Sequence, residues 1–359
     1  ELEEKFIPLL EQAILLSNKY DVVVTNPPYM NNSMMSQKIK NYISSNYGDF
    51  KSDLFSVFIN SDSNLVKKNG YLGFMTPFVW MFIKSYEELR KYIIKELSFS
   101  SLIQLEYSAL EEAIVPICTF VLKNSNYRSK AKFYRLVDYK GGMEEQKRMF
   151  LDLKEKDTFN VFVATNKKFL SIPSNVIAYW LNDNFINIFN SSNNLIEYAV
   201  PRQGLATGDN NKFLRLWSEV SIENVKLNSN SREESLNSDF KWFPYNKGGE
   251  FRKWYGNNDY IVNWENDGAE IKNFKDENGQ LRSRPQNTSN YFSESITWSK
   301  ISSGSIAFRY KPYGHIFDVA GTSIFGESDI LTYLLGLNNS KIILEILKAI
   351  SPTLNFEVG

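Results

Sequence analysis

The chain has 359 residues, long enough for two domains with separate cores, and its 41 Lys+Arg balance 41 Asp+Glu at a formal net charge of zero. That balance excludes binding of polyanions by bulk charge alone, though not a local basic groove opposite an acidic face. The single cysteine, Cys118, excludes an internal disulfide. The single histidine, His315, excludes most histidine-based zinc sites and most Ser-His or Cys-His catalytic arrangements, so no metal is expected.

The sequence opens on "ELEEKFIPLLEQAILL", an amphipathic helix over 3–17 without an initiator Met, and both ends look like cuts in a longer protein. No signal-peptide pattern and no run of about 18 apolar residues is present, so the expectation is a soluble cytoplasmic protein with no membrane partner. "DVVVT" (21–25) reads as a central strand of β-branched residues, stopped by Asn26-Pro27-Pro28-Tyr29. "SDLFSVFINSDSNLVKKNG" follows with apolar residues at helical spacing, and Asn69-Gly70 reads as its C-terminal signal. "YLGFMTP" is a short buried strand, and "SYEELRKYIIKELS" a helix opened by Ser85 and Glu88 at capping-box spacing. "SLIQLEY" and "ICTFVLKN" complete the set as an antiparallel hairpin at one edge of a largely parallel α/β sheet over 1–125. Cys118, inside the last strand, reads as a small core residue.

Residues 126–194 form a connecting region after the polar joint "NSNYRSK". From 195 to 359 the chain is rich in Asn, Ser, Gly, Trp and Tyr with dense turn signals, which predicts an irregular, β-rich α+β domain. The closing "DILTYLLGLNNSKIILEILKAISPTLNF" returns to helical periodicity.

Asn26-Pro27-Pro28-Tyr29 is either an ordinary strand-ending turn or a ligand site at the carboxyl end of a strand, where α/β sheets bind ligands. Asn26 offers an amide oxygen, Pro27 withholds a competing N–H, and Tyr29 offers a flat face for a ring. Two acceptors beside an aromatic suit an exocyclic amine on a planar heterocycle. Holding both its hydrogens favours a tetrahedral nitrogen and raises its nucleophilicity as the transition state forms, without a titrating base.

"NPPY" after an apolar strand, then "SDLFSVFI" and "LVKKNGYLGFMTP", resembles the amino-methyltransferases that use S-adenosylmethionine. "GLATGDNNKFLRLW", "ITWSKISSGSIAFRY", "GHIFDVAGTSIF" and "LGLNNSKIILEILKAISPTLNF" extend the resemblance along almost the whole chain. It is to the adenine-specific methyltransferases of PglX or BREX phage defence and of type II and IIG restriction–modification. The resemblance implies the catalytic half of a Rossmann-like methyltransferase sheet followed by a target-recognition domain, with double-stranded DNA and other restriction–modification or BREX subunits as candidate partners. Carried over by position, Asn26 and Pro27 would accept the N6 hydrogens of a flipped adenine, Pro28 would complete the motif, Tyr29 would stack on the base, and Asn26 would lie near the methyl donor. Asp53, Leu54 and Phe55 would line the pocket behind the catalytic strand, or else form a helix N-terminus with its core face.

Two departures matter. The family's Gly-containing cofactor turn should precede residue 1 and is absent, so the expectation is an incomplete S-adenosylmethionine site and a chain inactive by itself. Leu110 stands near the position where the family often has a second base-stacking Phe, which leaves Tyr107 to compensate or the base clamped from one side.

In the second half, Arg202, Lys212 and Arg215 surround a Gly-Asp-Asn turn. Lys241, Lys247, Arg252 and Lys253 interleave with Trp242, Tyr245, Trp254 and Tyr255, a pattern that suits phosphates and base edges. Lys300, Ser302 and Ser303 with nearby Arg309 look like another DNA-facing loop, whereas Trp298, Phe308 and Phe317 alternate like core strand residues. His315 reads as a packed turn histidine. No nuclease constellation is present. The leading reading is a site-specific DNA adenine-N6 methyltransferase; its rivals are a DNA-recognition scaffold with vestigial catalysis and a protein-glutamine methyltransferase, which also uses NPPY but lacks a large recognition domain.

Overall fold

The computed structural model describes residues 2–107, 115–126, 130–155, 160–301, 305–350 and 356. Contacts divide the chain into two units, Glu1–Ser191 and Ser192–Gly359.

In the first unit, α1 (Leu2–Ser17) leads into β1 (Tyr20–Thr25), whose three valines favour an extended backbone until Pro27 removes the ladder donor. Helix α2 (Gln37–Asn46) starts at Ser36, whose hydroxyl accepts from Ile39 N, and α3 (Leu54–Ser63) starts at Asp53, whose carboxylate accepts from Phe55 N. Strand β2 (Val66–Pro77) runs parallel to β1. Asn69-Gly70, expected to end a helix, lies instead within β2. Asn69 has φ 68°, and the register with β1 slips between Tyr20 and Val22, the mark of a bulge. Gly is required beside it because a Cβ on Gly70 would stand 2.6 Å from the Asp21 carbonyl oxygen.

Helix α4 (Glu87–Glu96) is not capped by Ser85, contrary to the spacing. A tight 3-10 turn, Lys84–Tyr86, feeds it instead, and Glu87 pairs with Lys84 at 2.6 Å and Lys91 at 3.0 Å. The Ser85 carbonyl accepts from Ser52 Oγ at 2.7 Å.

Strands β3 (Ser98–Gln104) and β4 (Ile117–Lys123) pair antiparallel as expected. The pair is not at an edge, however. The sheet order is β1-β2-β4-β3-β5-β6, with β5 (Lys130–Arg135) parallel to β3 and β6 (Val161–Thr165) antiparallel to β5. The sheet is therefore mixed, and residues read as a connecting region carry two of its strands. Lys130 and Lys132 disguise β5, whose Ala131 and Phe133 are buried. Strand β1 is paired on one side only among the described residues, rather than central.

Helices α5 (Gly142–Glu155), α6 (Asn166–Leu170) and α7 (Asp183–Ser191) complete the unit. The buried Arg90 of α4 ties this later segment down: its guanidinium donates to the Ser174 carbonyl at 2.9 and 3.0 Å and to the Trp80 carbonyl at 2.7 Å. Tyr179 stacks on Phe133 at 4.8 Å and donates to Gln104 Oε1 at 2.8 Å.

The second unit holds two four-stranded sheets. One has order β13-β9-β10-β8, the other β12-β11-β14-β7. In chain order the strands are β7 (Ala199–Arg202), β8 (Leu214–Leu216), β9 (Trp242–Asn246), β10 (Tyr260–Asn263), β11 (Ser295–Thr297), β12 (Arg309–Lys311), β13 (Ile316–Phe317) and β14 (Ser323–Gly326). Between them lie the short helices α8 (Asn210–Phe213), α9 (Arg232–Leu236) and α10 (Glu265–Lys272), and α11 (Ser328–Asn338) and α12 (Lys341–Ile350) follow. Phe213, Phe243, Tyr245, Trp264, Phe292 and Phe317 build one core; Ile296, Trp298, Phe308, Ile324, Leu331 and Leu334 build another. Much of the aromatic content of this half is thus spent on packing. Among the described residues no single helix is long and apolar enough to cross a membrane.

Candidate functional site

Strands β1, β2 and β3 point the same way, because β4 is antiparallel to both β2 and β3. Their carboxyl ends therefore share one edge of the sheet. Asn26–Tyr29 leaves β1 there, Pro77 ends β2, and Leu105–Tyr107 leaves β3. The topology brings Tyr107, 61% exposed, to the same edge as the Asn-Pro-Pro-Tyr turn. Leu110 and Ser302 lie outside the described residues.

Asn26 is exposed and Pro27 buried. The Tyr29 hydroxyl reaches Asn26 Oδ1 at 2.9 Å and the Met75 carbonyl oxygen at 3.2 Å. Both partners are acceptors, so the phenol is the donor. Burial, then the neighbouring Cys118, pushes the Tyr29 pKa above its ordinary value, which keeps that proton in place at neutral pH. Cys118 is itself buried, and its thiol is pushed up to about 12, which leaves it a packed thiol. No donor among the described residues reaches the Pro27 carbonyl oxygen. Asn26 Oδ1 retains a second lone pair beside the one facing Tyr29. The turn thus presents two neutral acceptors and no titrating base. Tyr29 is half-buried, packed against a cluster containing Leu105, Ile117, Tyr134 and Leu136.

Asp53 holds this turn from behind. Its Oδ1 accepts from Met30 N at 2.9 Å and Phe55 N at 3.3 Å, so one carboxylate joins the exit of the turn to the first turn of α3. Leu54 N donates to the Met30 carbonyl at 3.0 Å and Asn32 N to the Ser52 carbonyl at 3.2 Å, which doubles the clamp. Burial raises the Asp53 pKa, and backbone donors at Met30, Phe55 and Leu54 pull against that shift. The pocket-lining expectation is corrected for both residues here. Asp53 is buried by the backbone it clamps. Phe55 is 0% exposed and stacked on Tyr86 at 5.5 Å, leaving no face for a ligand.

The expected basic residues of the second unit fare unevenly. Arg202 is exposed at the end of β7. Lys212 pairs with Glu270 at 3.1 Å and sits 4.8 Å from the Phe274 ring centroid. Arg215 donates to the Asn211 carbonyl at 2.8 Å and lies over Trp242. Lys241 is within 3.9 Å of Glu265, and Lys247 lies 4.3 Å from the Tyr260 ring centroid. Lys253 donates to the Asn339 carbonyl at 3.2 Å. The Lys300 backbone N–H donates to the Ala320 carbonyl at 2.9 Å. Arg309 is a correction: it belongs to β12 and is 1% exposed, so its guanidinium faces protein rather than a surface ligand. His315 is half-buried, and its Nδ1–H donates to the Pro312 carbonyl at 3.1 Å.

Sequence reasoning missed two parts of this site. The Met75 carbonyl carries no side-chain signal. Glu106, beside Tyr107, accepts from Gly142 N at 2.8 Å and Gly141 N at 3.2 Å, a pairing across 35 residues of chain that no local pattern announces.

The fold is similar to that of solved restriction–modification enzymes. The type IIL enzyme MmeI, solved in complex with DNA, aligns with a TM-score of 0.55 at 13% identity, covering 89% of this chain and 42% of that one, a likeness of fold alone. Residues 2–110 match the family model described as Eco57I restriction-modification methylase. Across its length the chain is 35% identical over 351 residues to the adenine-specific methyltransferase PglX of Lacticaseibacillus casei (strain Zhang), covering 96% of this chain and 29% of PglX. It is 37% identical over 368 residues to the adenine-specific methyltransferase BrxX of Escherichia coli O9:H4 (strain HS), covering 100% of this chain and 29% of BrxX. The chain thus spans under a third of the length of these curated relatives.

Proposed function

We propose that this chain is the base-holding and DNA-reading portion of an S-adenosylmethionine-dependent DNA adenine-N6 methyltransferase, acting in a restriction–modification or BREX-type phage-defence system whose other subunits are its partners. The observation that carries this reading is the Asn26–Tyr29 turn: a Pro27 carbonyl that no donor among the described residues reaches, beside an Asn26 amide oxygen fixed by a phenol that stays protonated. An exocyclic amine placed there gives one hydrogen to each acceptor, and its lone pair is left to point away from the protein. Tyr29 fixes which atom of the Asn26 amide faces the amine. Tyr29 and Tyr107 supply the aromatic surface at the same sheet edge for an extruded base. The acceptors stay neutral throughout, so the proton lost from the methylated nitrogen leaves to solvent.

S-adenosylmethionine, when bound, supplies an electrophilic methyl on its sulfonium. Neutral acceptors fit a positively charged methyl donor, and Asn26 is the residue that would lie next to it. Strand β1 is paired on one side only among the described residues, and a further strand on its other edge would complete the cofactor side. Purified full-length protein given S-adenosylmethionine and duplex DNA is expected to form N6-methyladenine. Methyl transfer to protein glutamine, or to no base at all, would remove this reading.

A further inference from the structure

The segment joining β9 to β10, residues 247–259, is the most unusual surface of the second unit. Phe251, Trp254 and Tyr255 are 56%, 52% and 59% exposed on it. Trp254 has φ 75° and Asn257 φ 57°, conformations that bulky residues rarely adopt and that persist only where surroundings impose them.

Those surroundings are two buried basic side chains. Arg309, 1% exposed, donates to the Arg252 carbonyl at 3.3 Å and to Ser299 Oγ at 3.2 Å, and its Nε has no partner. Lys311, also 1% exposed, donates to the Gly256 and Asn257 carbonyls, both at 2.9 Å, and to Asn258 Oδ1. Among the described residues neither is ion-paired. Backbone bonds from Trp254 N to the Phe308 carbonyl at 2.9 Å and from Tyr310 N to the Trp254 carbonyl at 2.8 Å dock the segment on β12. The rings are therefore presented by a rigid frame. The charges around them are Lys247, Arg252 and Lys253, with Arg309 beneath, against Glu250 and Asp259, an excess of positive charge that suits a polyanion.

We propose that residues 251–255 form a preorganised aromatic contact on which nucleobases of bound DNA stack, with Trp254 as its central ring. The inference rests on the DNA-methyltransferase reading above. It also inverts the role expected from the sequence: Lys253 and Arg309 are scaffolding, and the rings make the contact. Base–aromatic stacking lacks base preference and depends little on salt, whereas phosphate contacts set the salt slope.

The test measures binding of the full-length protein to a mixed-sequence duplex carrying one unpaired base, by titration at several salt concentrations. Trp254→Gly removes the ring and accepts φ 75° without strain, so it keeps the frame. It is expected to weaken binding roughly tenfold with the salt slope unchanged, while Trp254→Phe stays within about threefold of wild type. Arg252→Ala is expected to lower the salt slope instead. Wild-type affinity in Trp254→Gly, or a loss in Trp254→Phe as large as in Trp254→Gly, would overturn the proposal. The two readings fail separately. DNA bound through Trp254 without adenine methylation would remove the enzyme, and adenine methylation with an indifferent Trp254 would remove the stacking contact.

Discussion

Tyr29 and His315 show burial deciding what a side chain does. The phenol of Tyr29 is raised, so it donates and orients Asn26. The imidazole of His315 is pushed down to about 4, first by burial and then by Lys311, so it is neutral at pH 7 with its proton on Nδ1 facing the Pro312 carbonyl. A folded pKa below the unfolded one means that the unfolded chain binds the extra proton. The stability His315 contributes is therefore complete above about pH 6.5 and lost as pH falls through about 4. Urea midpoints measured at pH 7 and pH 4.5 should show a smaller acid loss in His315→Asn, which keeps a donor, than in wild type. Equal losses would mean that His315 is already protonated or exposed. The sequence marked His315 as a turn residue but could not supply this shift, because Lys311 and the burying elements come together only in the fold.

Elements were legible where one face is buried and the other wet, and obscured where tertiary partners override local signals. The strand before Asn26 and the apolar run of α3 follow from β-branching and helical spacing. Asn69-Gly70 misled because the same αL preference serves a helix terminus and a β-bulge, and only the register with β1 distinguishes them. The hairpin was read at an edge because β5 and β6, which continue the sheet beyond β3, went unread; Lys130 and Lys132 hid β5. Asp53 was legible as a helix start but not as the clamp on the Asn26–Tyr29 turn, since Met30 is distant in sequence. Its test belongs to the join between turn and helix. Asp53→Ala removes a cap and leaves Met30 N unpaired, an expected cost of about 1–3 kcal/mol in urea unfolding. Asp53→Asn keeps an acceptor oxygen and should recover more than half of that. An unchanged midpoint in Asp53→Ala would show that the carboxylate does not hold the turn.

For the molecule as a whole, the sequence carried the functional class further than the architecture. Asn26–Tyr29 and the separated motifs downstream pointed to the methyltransferase resemblance, which the Eco57I match and the PglX and BrxX identities bear out. The charge pattern of the second unit was a poorer guide, because long cationic side chains there bond carbonyls, rings and carboxylates of their own unit. The exposed apolar residues are informative in turn. Leu9, Leu16 and Val24 are 60%, 67% and 76% exposed along α1 and β1, a face suited to further protein rather than to water. The most direct measurement is therefore made in the full-length protein: adenine methylation and duplex binding of Asn26→Ala beside wild type. Loss of the Asn26 oxygen is expected to lower methylation by a factor of a hundred or more, in line with removal of a preorganised hydrogen-bonding group, while DNA affinity stays within about twofold. Methylation at the wild-type rate in Asn26→Ala would contradict the role given to this turn.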